Sequence, residues 1–188
     1  MTFEPTRLAG VFVVHTQAIP DARGYFVRTF SADDFRAHQL NPVVAQANVS
    51  HNRRKGTLRG MHFQHAPAAE AKLVQCTRGA IYDVAVDIRP DSATYRQWVS
   101  CELSATNRRA LYLPEGCAHG FQTLEDDTDV SYLVSHPYAP ELADGFRYDD
   151  PAIGIAWPVA VTVISDRDAR WPALATATPR VETGGPDA

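Results

Sequence analysis

Short apolar stretches separated by turn signals dominate the chain. Val11–Ile19, Tyr25–Phe30, Val43–Val49, Lys72–Thr77, Ala80–Ile88, Trp98–Leu103, Arg109–Leu113, Asp129–Val134 and Val159–Ile164 are rich in Val, Ile, Leu, Phe and Tyr. Clusters such as Pro20-Asp21-Ala22-Arg23-Gly24, Arg89-Pro90-Asp91-Ser92 and Pro114-Glu115-Gly116 punctuate them. The pattern predicts strands joined by tight connections. Within Ala80–Ile88 the period is two: Tyr82, Val84, Val86 and Ile88 share one face, and Asp83, Ala85 and Asp87 the other. One stretch predicts a helix. Ser31 stands three residues before Asp34, as a capping residue does, and the segment runs on to Leu40 before Pro42. Many strands with few helices predict an all-β sandwich or jelly roll. Residues 1–173 read as a single domain, and small and polar residues with Pro and Gly from Leu174 to Ala188 read as a loose C-terminal tail.

Composition narrows the function classes. With 188 residues, 45% hydrophobic and 21% charged, the chain is long and apolar enough for one core and too apolar to be disordered. No apolar run approaches the ~18 residues of a membrane span, and the first residues lack the features of a secretory signal. A net charge of −4 argues against a nucleic-acid partner. Cys76, Cys101 and Cys117 are odd in number and widely spaced, as reduced core thiols of a cytoplasmic protein would be. There are sixteen arginines but only two lysines, Lys55 and Lys72.

Several polar residues stand in stretches that otherwise look buried: Arg59, His62 and Gln64 in the run from Gly56 to His65, Lys72 beside apolar neighbours, His119 after Pro114-Glu-Gly116, Tyr132 between valines, and Asp168 after Ser165. Singly, each has a plain structural explanation, such as packing, snorkelling or capping. Together they supply a base, a carboxylate to orient it, a cation and a phenol, a set suited to proton abstraction beside a carbonyl. Arg59 and His62 have opposite parity on a regular strand, so Gly60 between them predicts a bulge. A rival reading is a metal-binding cupin. Gly56, His62 and His119 match the spacing of its ligand pattern, whereas Gln64 stands at a ligand position and Glu70 is one residue too far along. A non-catalytic sugar-nucleotide-binding module is the other alternative.

In the order and spacing of its motifs the chain resembles the nucleotide-sugar epimerases typified by dTDP-4-dehydrorhamnose 3,5-epimerase. The stretches are Asp21-Ala-Arg23-Gly24-Tyr-Phe26, Gln46-Ala-Asn48-Val-Ser50, Gly56-Thr-Leu-Arg59-Gly60-Met-His62-Phe-Gln64, Asp83-Val-Ala-Val-Asp87-Ile-Arg89, Pro114-Glu-Gly116-Cys-Ala-His119-Gly120-Phe121, Tyr138-Ala-Pro140, Asp149-Asp150-Pro151 and Ser165-Asp-Arg-Asp168. The resemblance implies a cupin-like jelly roll, a homodimer, no metal and no organic cofactor, and a nucleotide-linked 4-keto-6-deoxyhexose as substrate. It implies His62 as base, Asp168 as its orienting partner, Lys72 beside the C4 oxygen and Tyr132 as proton donor on the opposite face. It further implies Arg23 and Arg59 at the diphosphate, Gln46, Asn48 and Ser50 at nucleotide and sugar, Phe26 at the substrate, His119 in the pocket lining and Tyr138 stacked on the base. Three positions depart from the family pattern: Arg28 and Ala143 stand where Glu is usual, and Leu133 where Lys is common. They leave open another base, such as cytosine, and inversion of one centre only.

Overall fold

The computed structural model describes residues 1–174. Thirteen strands and two short helices follow one another there: β1 (Thr2–Pro5), β2 (Phe12–His15), β3 (Ala18–Asp21), β4 (Gly24–Val27), α1 (Ala32–Ala37), β5 (Gln46–Asn52), β6 (Leu58–Gln64), β7 (Lys72–Arg78), β8 (Ala80–Asp87), β9 (Trp98–Ser104), β10 (Arg109–Leu113), β11 (Cys117–Thr123), β12 (Thr128–Val134), β13 (Ala143–Gly145) and α2 (Asp166–Ala169). Two antiparallel sheets face each other, ordered β1-β2-β10-β7-β12-β5 and β13-β6-β11-β8-β9, while β3 and β4 form a separate hairpin. Neighbouring strands are mostly non-consecutive in sequence, as in a cupin-like jelly roll. Apart from Leu174, the expected tail lies outside the described residues. Among the described residues no helix is long and apolar enough to cross a membrane.

Between the sheets lies an apolar layer built from Val74 and Cys76 of β7, Ile81 and Ala85 of β8, Leu103 of β9, Leu111 and Leu113 of β10, Phe121 of β11 and Val130 of β12. The outer face of the first sheet is covered by α1, whose Phe35 packs on Leu73 and Tyr112; burying such a ring contributes about 1.5–3 kcal/mol. The outer face of the second sheet is covered by the chain after β13, through Phe146 and Ile153. Both faces of β8 are therefore buried, and the face bearing Asp83 and Asp87 is the one that turns into the sandwich. Each of these carboxylates is fully buried and has a partner: His119 for Asp83, and Arg89, Ser92 and Thr94 for Asp87. The three cysteines are free and buried, and burial pushes the thiols up to about 11 for Cys76 and Cys101 and about 12 for Cys117.

Several boundaries differ from the apolar pattern. The stretch Val11–Ile19 divides into β2 and β3. The helix starts at the expected cap, with Ser31 Oγ accepting from Asp34 N–H, but ends at Ala37 because the backbone turns left-handed at Gln39. Val159–Ile164 is not a strand; only a single parallel bridge joins Val163 to Thr57 before the chain turns into α2. β6 and β11, which carry the densest polar motifs, lie side by side inside the second sheet.

Candidate active site

An open cavity of about 520 Å³ lies between the two sheets at one end of the sandwich. Strand register explains its first wall. Asn48 of β5 pairs with Tyr132 of β12, which pairs with Val74 of β7, so all three side chains point the same way, into the sandwich. Gln46, Val134 and Lys72 follow two residues along on the same face and also line the cavity. The second wall comes from the other sheet: His62 and Gln64 of β6, with Ala143 and Asp144 of β13. Phe63, Glu70, Tyr138 and Arg167 complete the lining. His62 and Tyr132 thus reach one cavity from different sheets.

The β6 strand is irregular where the sequence predicts it. His62 pairs with His119 but Arg59 pairs with Phe121, so three steps along β6 match two along β11. Gly60 lies in the extra residue's place with φ +134°, and a Cβ there would sit 2.6 Å from the Cα of Gly120. Arg59 and His62 both reach a second lobe of about 330 Å³, with Ser165, Arg167 and Asp168. His62 and Arg167 border both lobes.

Asp168 is brought to His62 by α2. Ser165 Oγ accepts from Asp168 N–H at 3.1 Å and caps the helix. The Asp168 carboxylate, only 6% exposed, lies 2.7 Å from His62 Nε2 and takes the Gly60 N–H at 3.2 Å. Burial acts to raise its pKa, but the bonds from His62, Gly60 and Ser165 outweigh burial and hold it below the usual carboxylate value. An ionised carboxylate only accepts, so His62 Nε2 carries the hydrogen and Nδ1 is left as proton acceptor.

Lys72 Nζ is 2.9 Å from Glu70 Oε1, and the two side chains are 12% and 10% exposed. Gln64 works as a brace. Its Nε2 donates to Glu70 and to the carbonyls of Ala68 and Pro137, and its Oε1 accepts from Ala139 N–H at 2.7 Å. At the rim, Gln46 Oε1 accepts from Tyr138 N–H, and Arg167 donates to the Tyr138 hydroxyl while lying over the Trp171 ring. Asp144 bonds His65 at 2.9 Å. Among the described residues, no group of three His, Cys, Asp or Glu side chains is placed to hold a metal ion.

The structure therefore gathers His62, Lys72, Tyr132, Gln46, Asn48 and Tyr138 around one cavity, sets Asp168 behind His62, and places Arg59 in the adjoining lobe. Four expected residues lie elsewhere. His119 is not in the lining, because its ring is drawn to buried Asp83, 2.7 Å from its Nε2. Ser50 shares the inward face of β5 but stands beyond the cavity, accepting from Asn52. Arg23 and Phe26 project from the β3–β4 hairpin, which pairs with neither sheet; the Arg23 side chain is 90% exposed and bonds Asp21. Arg167 was not singled out by the sequence, and Glu70 was weighed there only as an ill-spaced metal ligand. For Glu70 the signal was available: an acid two residues before the scarce lysine.

Comparison with known proteins places this geometry. The sequence model of the dTDP-4-dehydrorhamnose 3,5-epimerase family matches residues 5–176. The curated 3,5-epimerase of Sinorhizobium fredii is 46% identical over 175 residues, covering 93% of this chain and 90% of that protein. The crystal structure of the 3,5-epimerase from Elizabethkingia anophelis superposes with a TM-score of 0.90 at 33% identity, covering 93% of this chain and 97% of the other. A 3,5-epimerase from Legionella pneumophila, solved in complex with dTDP-4-keto-L-rhamnose, gives a TM-score of 0.89 at 34% identity and 94% coverage of both chains.

Proposed function

The chain belongs to the dTDP-4-dehydrorhamnose 3,5-epimerase family, and on that premise we propose how its own residues perform the reaction. It is an isomerase that converts dTDP-4-dehydro-6-deoxy-D-glucose to dTDP-4-dehydro-L-rhamnose. The C4 ketone acidifies the C–H bonds at C3 and C5. Loss of either proton gives an enolate, and return of a proton to the other face inverts the centre. His62 Nδ1 takes the proton, and Asp168 holds the ring and stabilises the imidazolium. The Lys72 ammonium lies against the C4 oxygen and stabilises the enolate. Tyr132 donates from the opposite side. Arg59 and Arg167 take the diphosphate in the second lobe, and Tyr138 stacks on the base. The observation that supports this reading is the approach of His62 and Tyr132 to one cavity from two different sheets, because inversion needs two proton-handling groups on two faces.

We further propose that the active form is a homodimer. Ile19, Tyr25 and Phe26 on the hairpin are 57–62% exposed, and Val49 on the edge strand β5 is 68% exposed, an apolar surface that a second copy would cover. Such an arrangement lets Arg23 and Phe26 of one copy reach the substrate held by the other. Incubation with dTDP-4-dehydro-6-deoxy-D-glucose in D₂O tests the chemistry. Label at both C3 and C5 is expected, with loss of labelling in His62→Ala; label at one centre alone refutes double inversion, and undiminished labelling in His62→Ala refutes the assigned base.

A further inference from the structure

Two carboxylates bear on the Lys72 ammonium. Glu70, just before β7, holds it at 2.9 Å through Oε1, while Glu70 Oε2 is pinned by the Gln64 amide at 3.3 Å. The second carboxylate is Asp83 of β8. It is fully buried; His119 occupies Oδ1, and Oδ2 has no hydrogen-bond partner among the described residues. A buried acceptor left unpaired is costly, so it attracts any donor within reach. Lys72 and Asp83 lie on the inward faces of facing sheets, since Val74 and Cys76 of β7 and Ile81 and Ala85 of β8 share one apolar layer. Burial pushes the Asp83 carboxyl up, and the positive charges of His119 and Lys72 both act against that rise.

We propose that Glu70 is a positioning residue that holds the Lys72 ammonium at the cavity wall against the pull of Asp83. A flexible four-carbon stem gives the ammonium no fixed direction of its own. With Glu70 in place it faces the cavity; without it, the ammonium turns inward to the orphaned oxygen of Asp83. The inference rests on the reading that Lys72 stabilises the enolate.

Glu70→Gln is the test, because it keeps the shape and an oxygen for Gln64 while removing the charge. Turnover in the D₂O assay falls about tenfold or more, as misplaced catalytic groups cause, while dTDP affinity and thermal stability stay near wild type. In a Lys72→Met background the same change has no further effect, and adding Asp83→Asn to Glu70→Gln restores part of the activity by removing the competitor. Equal loss in the Lys72→Met background, or no recovery in a folded double variant, overturns the proposal. A second readout does not depend on activity. With ¹⁵N-labelled lysine the chain gives two ammonium signals, from Lys55 and Lys72, and Lys55→Arg assigns them. The Lys72 signal shifts in Glu70→Gln while that of Lys55 stays. An unmoved Lys72 signal overturns the positioning role. Full turnover in Lys72→Met instead overturns the catalytic reading of Lys72 and leaves the spectra to decide the pairing.

Discussion

Replacing Gly60 by alanine strikes the point where β6 and β11 touch. The added Cβ would meet the Gly120 Cα at 2.6 Å and the His119 carbonyl oxygen at 3.1 Å. Carbon atoms rest at about 3.5–4.0 Å, so the two strands must separate by about 1 Å. Overpacking of this kind costs about 1–3 kcal/mol. The backbone there, at φ +134°, is a second obstacle worth about 1–3 kcal/mol for a residue with a side chain. Together these remove about 2–6 kcal/mol from a total stability of about 5–15 kcal/mol. Gly24→Ala is the control: its φ is +135°, but nothing lies within 4 Å of the added carbon, so it tests backbone strain without the clash. Urea unfolding at constant slope measures both losses, and Gly60→Ala should exceed Gly24→Ala by at least about 1 kcal/mol. Because the same bulge aims Arg59 and His62 into one lobe, solvent-deuterium exchange into substrate should also fall about 100-fold, the effect of an ångström's misplacement. Equal losses for the two alanines, with wild-type exchange in Gly60→Ala, would refute the role assigned to the close approach.

Asp168→Asn keeps the size of the side chain but can offer His62 a donor in place of an acceptor; deuterium exchange should drop about 10³–10⁴-fold with dTDP affinity retained, and a loss under tenfold would argue that His62 needs no orienting carboxylate. Asp87→Asn tests a pH dependence. Burial alone would raise this carboxyl, yet the hydrogen bonds from Arg89, Ser92 and Thr94 hold it below its ordinary value of 3.8. The unfolded chain therefore takes up the proton first on acidification, and the stability supplied by Asp87 is present above about pH 4 and lost as the pH falls through the lower folded value. The variant should be about 3 kcal/mol less stable than wild type at pH 7, and the gap should close below about pH 4 in urea titrations; a gap independent of pH would disprove the ionic role.

Much of the framework was legible from period-two alternation and turn residues, because a strand's pattern is local. The stretches β7, β8, β9, β10 and β12 emerge within a few residues of their apolar limits. What the pattern missed is non-local. β6 and β11 carry Arg, His and Gly where an apolar strand is expected, since β6 lines a cavity and the two strands press backbone to backbone at Gly60 and Gly120. Val159–Ile164 has the composition of a strand but forms only a single bridge, to Thr57. Motif resemblance named Gln46, Asn48, His62, Lys72, Tyr132 and Tyr138 of the cavity lining, whereas the burial of His119 against Asp83 depends on which face of β8 turns inward, and the more apolar face, with Tyr82, Val84 and Val86, is the one that turns outward. The position of Arg23 and Phe26 on a detached hairpin was equally invisible, because nothing in a strand's own sequence says which sheet it joins.

Tyr132 and Lys72 are fixed to one layer and His62 to the other, so the gap spanned by the reacting sugar is set by how thickly the residues packed between those layers fill it. Leu103, Leu111 and Phe121 lie outside the cavity lining, yet they act as its spacers. Trimming one of them lets the jaws settle closer, and enlarging one props them apart. Adaptation to heat or cold, which reworks interior volume, must in this architecture retune the rate at the same time.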